Sequence, residues 1–201
     1  MDFTRVKKAL EERGFQVTVF PGKAEAAAHL NEVIDGVSVG FGGSVTLREL
    51  GLFDSLSTHN QVHSHWNVPE GKTGAEVLSD AAGADVFLTS VNGLAETGEL
   101  INIDGTGNRV SSTLYGHKKV CFVVGRNKLA PTYDDALWRA RNIASPKNAR
   151  RLGVKTPCAA KGDRCYDCRS PERICRALVV LWEPVKSCET EVVLIDEDLG
   201  Y

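Results

Sequence analysis

A chain of 201 residues with 42% hydrophobic side chains can bury one sizeable core, and its length favours a single domain over residues 1–201. Its 24 basic and 26 acidic residues leave a formal charge of −2, which excludes the broad basic field that drives non-specific nucleic-acid binding and points to small-molecule or protein partners. The charged start from Met1 to Lys8 lacks an apolar signal segment and no apolar run reaches membrane-spanning length, so a cytoplasmic protein with no membrane span is expected.

In chain order, Val6 and Leu10 recur at helical spacing over residues 4–13, and Gly14 is placed to stop that helix. Residues 15–20 alternate with period two and end at Pro21-Gly22, which leads into an alanine-rich helix over 23–34 and a strand over 37–40. A glycine cluster then meets a new helical pattern of Val45, Leu47 and Leu50, with Ser44 at the N-cap position. Strand, helix, strand, glycine loop, helix is the rhythm of a mostly parallel α/β sheet flanked by helices, in which ligands gather at the carboxyl ends of strands.

Gly42, Gly43 and Ser44 are therefore candidate ligand-binding residues, because glycine lets the backbone approach a ligand closely. The loop has no Gly-Lys-Ser/Thr ending, and Asn60-Gln61-Val62-His63 stands where a ribose-binding acid is expected. A small carboxylate or phosphate-bearing ligand suits it better than a nucleotide. A tight turn with no ligand is the bland alternative.

Further along, Asn60 to Val68 reads as a strand that sets His63 and His65 on one face, where they share a ligand or are polar edge residues. A helix over 74–82 and a strand over 85–91 follow. The next stretch is polar and glycine-rich, with a β-hairpin expected from strand 100–103, turn 104–108 and a return at 109–111. Glu96 is a candidate general base, nucleophile or hydroxyl-binding carboxylate; Thr97, Asn102 and Arg109 are further ligand-binding candidates. An ordinary solvated loop glutamate is the alternative for Glu96. Residues 118–125 form a buried-type strand in which Cys121 is a small core residue, Thr132 or Asp134 caps a helix through 144, and strands follow near 177–182 and 191–195. The basic face of Arg139, Arg141, Lys147, Arg150 and Arg151 reads as solvated helix surface, with a local phosphate or acidic contact as the other possibility.

The most specific chemical signal is the loop over 157–176, where Cys158, Cys165, Cys168 and Cys175 are spaced C-x6-C-x2-C-x6-C. Without an export signal a reducing compartment is expected, so ligation of a metal by four thiolates is preferred over two disulfides or free thiols. Soft sulfur ligands suit zinc or an iron–sulfur cluster. The compact loop slightly favours a [4Fe–4S] cluster over a structural zinc, and Lys161, Arg164, Arg169, Arg173 and Arg176 offset the thiolate charge.

With these pieces, the sequence resembles the lactate-utilisation (LUD) domain family, in a short form with a C-terminal four-cysteine loop. The resemblance is carried by Gly40-Phe41-Gly42-Gly43-Ser44-Val45-Thr46, Ala95-Glu96-Thr97-Gly98, Arg173-Ile174-Cys175-Arg176 and Glu197-Asp198-Leu199-Gly200-Tyr201. It implies a fold like that of the CoA-transferase and ribose-5-phosphate-isomerase superfamily, and a link to bacterial oxidation of lactate to pyruvate beside iron–sulfur partner subunits. Three functions follow: a ligand-binding subunit of organic-acid oxidation, a non-catalytic iron–sulfur electron-transfer or assembly subunit, and, by fold analogy, a phosphosugar or CoA-ester enzyme.

Overall fold

Apolar residues on both faces of a strand require cover on both sides, and the central strands of this chain have that pattern. The computed structural model describes residues 3–201. The first half holds α1 (Thr4–Glu12), β1 (Gln16–Phe20), α2 (Lys23–Val33), β2 (Ser38–Phe41), α3 (Val45–Glu49), α4 (Leu52–Leu56), β3 (Gln61–Ser64), α5 (Gly74–Ala82) and β4 (Val86–Thr89). Then come β5 (Gly93–Ala95), β6 (Leu100–Asp104), α6 (Asn108–Ser112), β7 (Lys119–Gly125), β8 (Leu129–Ala130) and α7 (Tyr133–Arg139). The chain continues through α8 (Ser145–Leu152), α9 (Pro157–Lys161), β9 (Ala177–Leu181) and β10 (Glu189–Ile195).

Six strands make a sheet in the order β1-β10-β7-β4-β2-β3, and every pairing in it is parallel. Alternation sorts its side chains into two cores. Phe87, Val120, Phe122, Val124, Val192 and Leu194 pack with Val6 and Leu10 of α1, while Val86, Leu88, Cys121, Val123, Val193 and Ile195 pack with Ala26, Leu30 and Leu47 on the other face. Burial pushes the Cys121 thiol up to about 12, as suits a core residue with no acid–base role. The architecture is thus the expected mostly parallel α/β sheet flanked by helices.

A second sheet of four strands runs β8-β5-β6-β9. Its small residues let α7 lie close: a side chain at Gly93 would collide with the Ala136 carbonyl, and Ala95, Ala130, Ala136 and Ala140 pack together.

The structure corrects several local expectations. The hairpin is built from β5 and β6, which pair antiparallel, whereas Arg109–Ser111 belong to α6. Gly107, at φ 93°, turns the chain into that helix, and β6 takes β9 as its other neighbour. Strand β3 stops at Ser64, so His65 lies beyond the strand. The helix after the glycine loop is two short helices, broken where Gly51 adopts φ 66°. The long basic helix passes through a π-helical turn at Ala140–Ala144 and ends at Gly153, φ 68°.

Candidate functional site

In the main sheet, β2 sends the chain outward to β3, whereas β4 sends it back toward β7. Connections that leave in opposite directions open a crevice at the carboxyl ends of the two strands. A cavity of about 320 Å³ lies there, lined by Gly42, Gly43 and Ser44 after β2, His65 and Trp66 after β3, Ser90 to Asn92 after β4, and Lys128 after β7. Asp104, Arg109, Arg151 and Tyr201 complete its polar wall.

The glycines are fixed by crowding. A Cβ on Gly42 would stand 2.7 Å from Phe87 Cζ and 2.9 Å from Arg109 Cγ, and one on Gly43 would stand 2.8 Å from His65 Cε1. Ser44 caps α3, accepting from the Leu47 N–H at 3.4 Å, but a helix of five residues supplies little dipole.

Arg109, its side chain 14% exposed, works as a brace. Its guanidinium donates to Asn102 Oδ1, to Asn92 Oδ1 at 3.1 Å and to the Ile103 carbonyl at 2.6 Å, and its Nε lies 3.5 Å from Asp104 Oδ2. Burial lowers its pKa and Asp104 opposes that shift. Asp104 is itself 9% exposed and also accepts from the Gly107 N–H at 2.8 Å.

Lys128, only 5% exposed, has hydroxyls as partners: Nζ donates to Thr46 Oγ1 at 2.9 Å and to Ser90 Oγ at 3.0 Å. Burial, followed by the charges of Arg139 and Arg109, pulls its pKa down to about 7. Arg139, expected on the solvated helix face, is buried instead and donates to the carbonyls of Asn127 at 2.7 Å and Asn92 at 2.6 Å. Burial brings its pKa to about 10. At the rim, Arg48 and Arg151 both lie against Trp66, their guanidinium carbons 5.4 and 5.0 Å from the ring centroid. Burial and then Arg151 lower the His65 pKa, against a smaller opposing pull from Asp104.

The candidates from the sequence therefore divide. Gly42, Gly43, Ser44, His65 and Arg109 line this cavity, with Asn102 buried behind Arg109. Glu96 lies elsewhere, 3.1 Å from Arg5, and the Thr97 hydroxyl donates to Glu99. The reason is strand direction: β5 leaves the crevice at Asn92 and carries Glu96 about 13 Å away at roughly 3.3 Å per residue. His63 points toward α5, 3.9 Å from Asp80. Lys128 carries no motif; its sequence signal is its place just after the carboxyl end of a buried strand.

The four cysteines are partly exposed, Cys158 in α9 and Cys165, Cys168 and Cys175 in the loop between α9 and β9. Arg173 ties the loop together, donating to the carbonyls of Cys168 and Cys175, each at 2.8 Å, and to Asp167 Oδ1 at 3.2 Å. Four thiols are the donor set of a thiolate centre. Among the described residues, however, no three His, Cys, Asp or Glu side chains are gathered as a metal ion requires. Cys165 and Cys175 line a second cavity with Arg141, Arg173 and Arg176, and Ile103 and Ser145 form a wall shared with the first.

The structure is thus an α/β protein with a parallel main sheet and a crevice lined by cationic side chains at its switch point. The family model of the LUD domain matches residues 3–195, so the chain belongs to the LUD domain family. It is also similar to the crystal structure of a DUF162 family protein from Deinococcus radiodurans, with TM-score 0.53 and 14% identity over 96% of this chain and 99% of that one. That likeness concerns the fold. No curated protein sequence matches the chain. Among the described residues, no helix is long and apolar enough to cross a membrane.

Proposed function

We propose that the protein binds a small carboxylate or phosphate-bearing ligand in the cavity bounded by Gly42, Gly43, Ser44, His65, Arg109, Lys128 and Arg151. The observation that carries this reading is the charge of the wall: Lys128, Arg109 and Arg151 face a cavity in which, among the described residues, Asp104 is the one carboxylate side chain in the lining. Asp104 is engaged by Arg109, which leaves Lys128 and Arg151 to attract an anion. Family membership supports a role associated with lactate utilisation, and lactate and pyruvate are carboxylates small enough for the space. Thermal-shift screening against lactate, pyruvate, phosphate, sugar phosphates and CoA esters tests the reading. A Tm rise with a small carboxylate or phosphate, reduced in Arg151→Ala, supports it. A response confined to CoA esters favours the fold-analogy enzyme, and no response to any of them contradicts ligand binding here.

We further propose Cys158, Cys165, Cys168 and Cys175 as ligands of a metal centre, with [4Fe–4S] favoured over zinc. This is supported by their spacing, by the arginines around them, and by the wall that the cavity lined by Cys165 and Cys175 shares with the anion cavity. An iron–sulfur centre there would suit a redox partner subunit. Anaerobic purification followed by iron, sulfide and zinc analysis decides it: stoichiometric iron and sulfide support the cluster, zinc alone leaves a structural centre, and neither metal contradicts ligation.

A further inference from the structure

Attracting an anion requires only a positive charge, yet the surroundings of Lys128 do more than hold one. The Ser90 hydroxyl donates to Thr46 Oγ1 at 3.4 Å, and the Thr46 hydroxyl donates to the Leu199 carbonyl at 3.3 Å. Both hydroxyl protons are thus directed away from Nζ, and the two oxygens serve Lys128 only as acceptors, at 2.9 and 3.0 Å. A neutral amine has two N–H donors and one lone pair. Two oxygens within reach of Nζ match those two donors, and the same lysine lines the cavity. Other lysines of the chain are placed differently: Lys119, Lys118 and Lys72 are each within 2.7 Å of a carboxylate.

We propose that Lys128 is a carbonyl-reactive amine and that the ligand class is a small 2-oxo acid, whose carboxylate is held by the cationic wall while Nζ attacks the adjacent keto carbon. This rests on the anion-binding reading above and adds to it the reacting group and the need for a carbonyl. In the step, a C–N bond forms as the C=O π pair moves onto oxygen, and a proton passes from nitrogen to that oxygen. The carbinolamine then loses its hydroxyl together with the remaining N–H proton as water, leaving a C=N bond. No electrons are gained or lost, and no co-reactant is needed. Ser90 and Thr46, in contact with the nitrogen, are placed to relay the protons. Burial supplies the reactive form: with a pKa of about 7, about half of Lys128 is neutral at pH 7, against roughly one in 2,500 of an ordinary lysine at 10.4.

The test uses the whole protein with pyruvate and glyoxylate as probes. Each is incubated with the protein and mild borohydride, which reduces an imine to a stable secondary amine, and the modified lysine is found by peptide mass spectrometry. Binding of the same probes and of phosphate is measured in parallel by calorimetry. The expected result is modification concentrated on Lys128 and suppressed by excess phosphate. Saturable binding of either probe with no adduct at Lys128, or adducts scattered over surface lysines, overturns the inference and leaves the anion-binding reading intact. Absence of saturable binding by pyruvate, glyoxylate and phosphate alike overturns both.

Discussion

Arg109 and Lys128 line one cavity, but their partners give them different work. The Arg109 guanidinium is spent on Asn92, Asn102, Ile103 and Asp104, so it fixes the shape of the crevice wall. Lys128 has only two hydroxyls to satisfy it, and its charge remains available to a ligand. The same crowding makes Gly42 intolerant of a side chain: Gly42→Ala drives a methyl into Phe87 and Arg109 and is expected to cost about 1–3 kcal/mol, read from urea unfolding. His117 gives the molecule an acid-sensitive point. It is 4% exposed, its Nδ1 lies 2.7 Å from the Ala84 carbonyl, and burial lowers its pKa. The unfolded chain therefore binds the proton more readily, so the contribution is present above about pH 6.5 and is lost as pH falls through the lower folded value. Unfolding free energy measured between pH 8 and 5 should fall toward acid, and less steeply in His117→Asn. The glycines of the loop were legible because a β-branched run breaks on them. Lys128 was not, because a lysine after a strand looks like surface until the fold buries it.

At the level of elements, strands and helices with regular periodicity appear where the pattern places them, at α1, β1, α2 and β2 and again at α5, β7 and β10. The departures occur where tertiary pairing chooses among options that sequence leaves equal. Residues 109–111 alternate well enough for a strand, but β9 takes the free edge of β6, and Arg109 is drawn into α6 to reach Asp104. Glu96 looked like a strand-end carboxylate facing the crevice, and its strand runs away from it. Strand β10 shows how a parallel core strand tolerates a charge. Glu191 is 3% exposed, and although burial opposes its ionisation, Lys119 at 2.7 Å, Thr18 at 2.9 Å and His29 hold its pKa below the usual range. Glu191→Gln leaves Lys119 without its partner and is expected to destabilise the protein by about 3 kcal/mol in denaturant unfolding. In the wild type, this carboxylate's contribution is present above the ordinary glutamate pKa of about 4.3 and disappears as pH falls through the lower folded value.

For the whole molecule, the order of the strands decides where chemistry can occur. Chain reversal between β2 and β4 opens the crevice, the glycine loop keeps it open, and the turns after β4 and β7 bring in Ser90 and Lys128. The cysteine loop reaches the same neighbourhood from a distant part of the sequence, sharing Ile103 and Ser145 as a wall. That proximity could not be read from the sequence, because nothing local relates residues 158–175 to residue 43. The central claim, a cavity that holds a small anion through Lys128 and Arg151, is tested most directly by calorimetric titration of lactate, which keeps one charge over this range and has no keto carbon for Lys128 to attack, at pH 6 and pH 9. One saturable site is predicted, with affinity about tenfold or more weaker at pH 9 as Lys128 loses its proton near 7, and weaker again in Arg151→Ala. Saturable binding that neither the pH change nor the Arg151 substitution alters, or no binding at either pH, would contradict it.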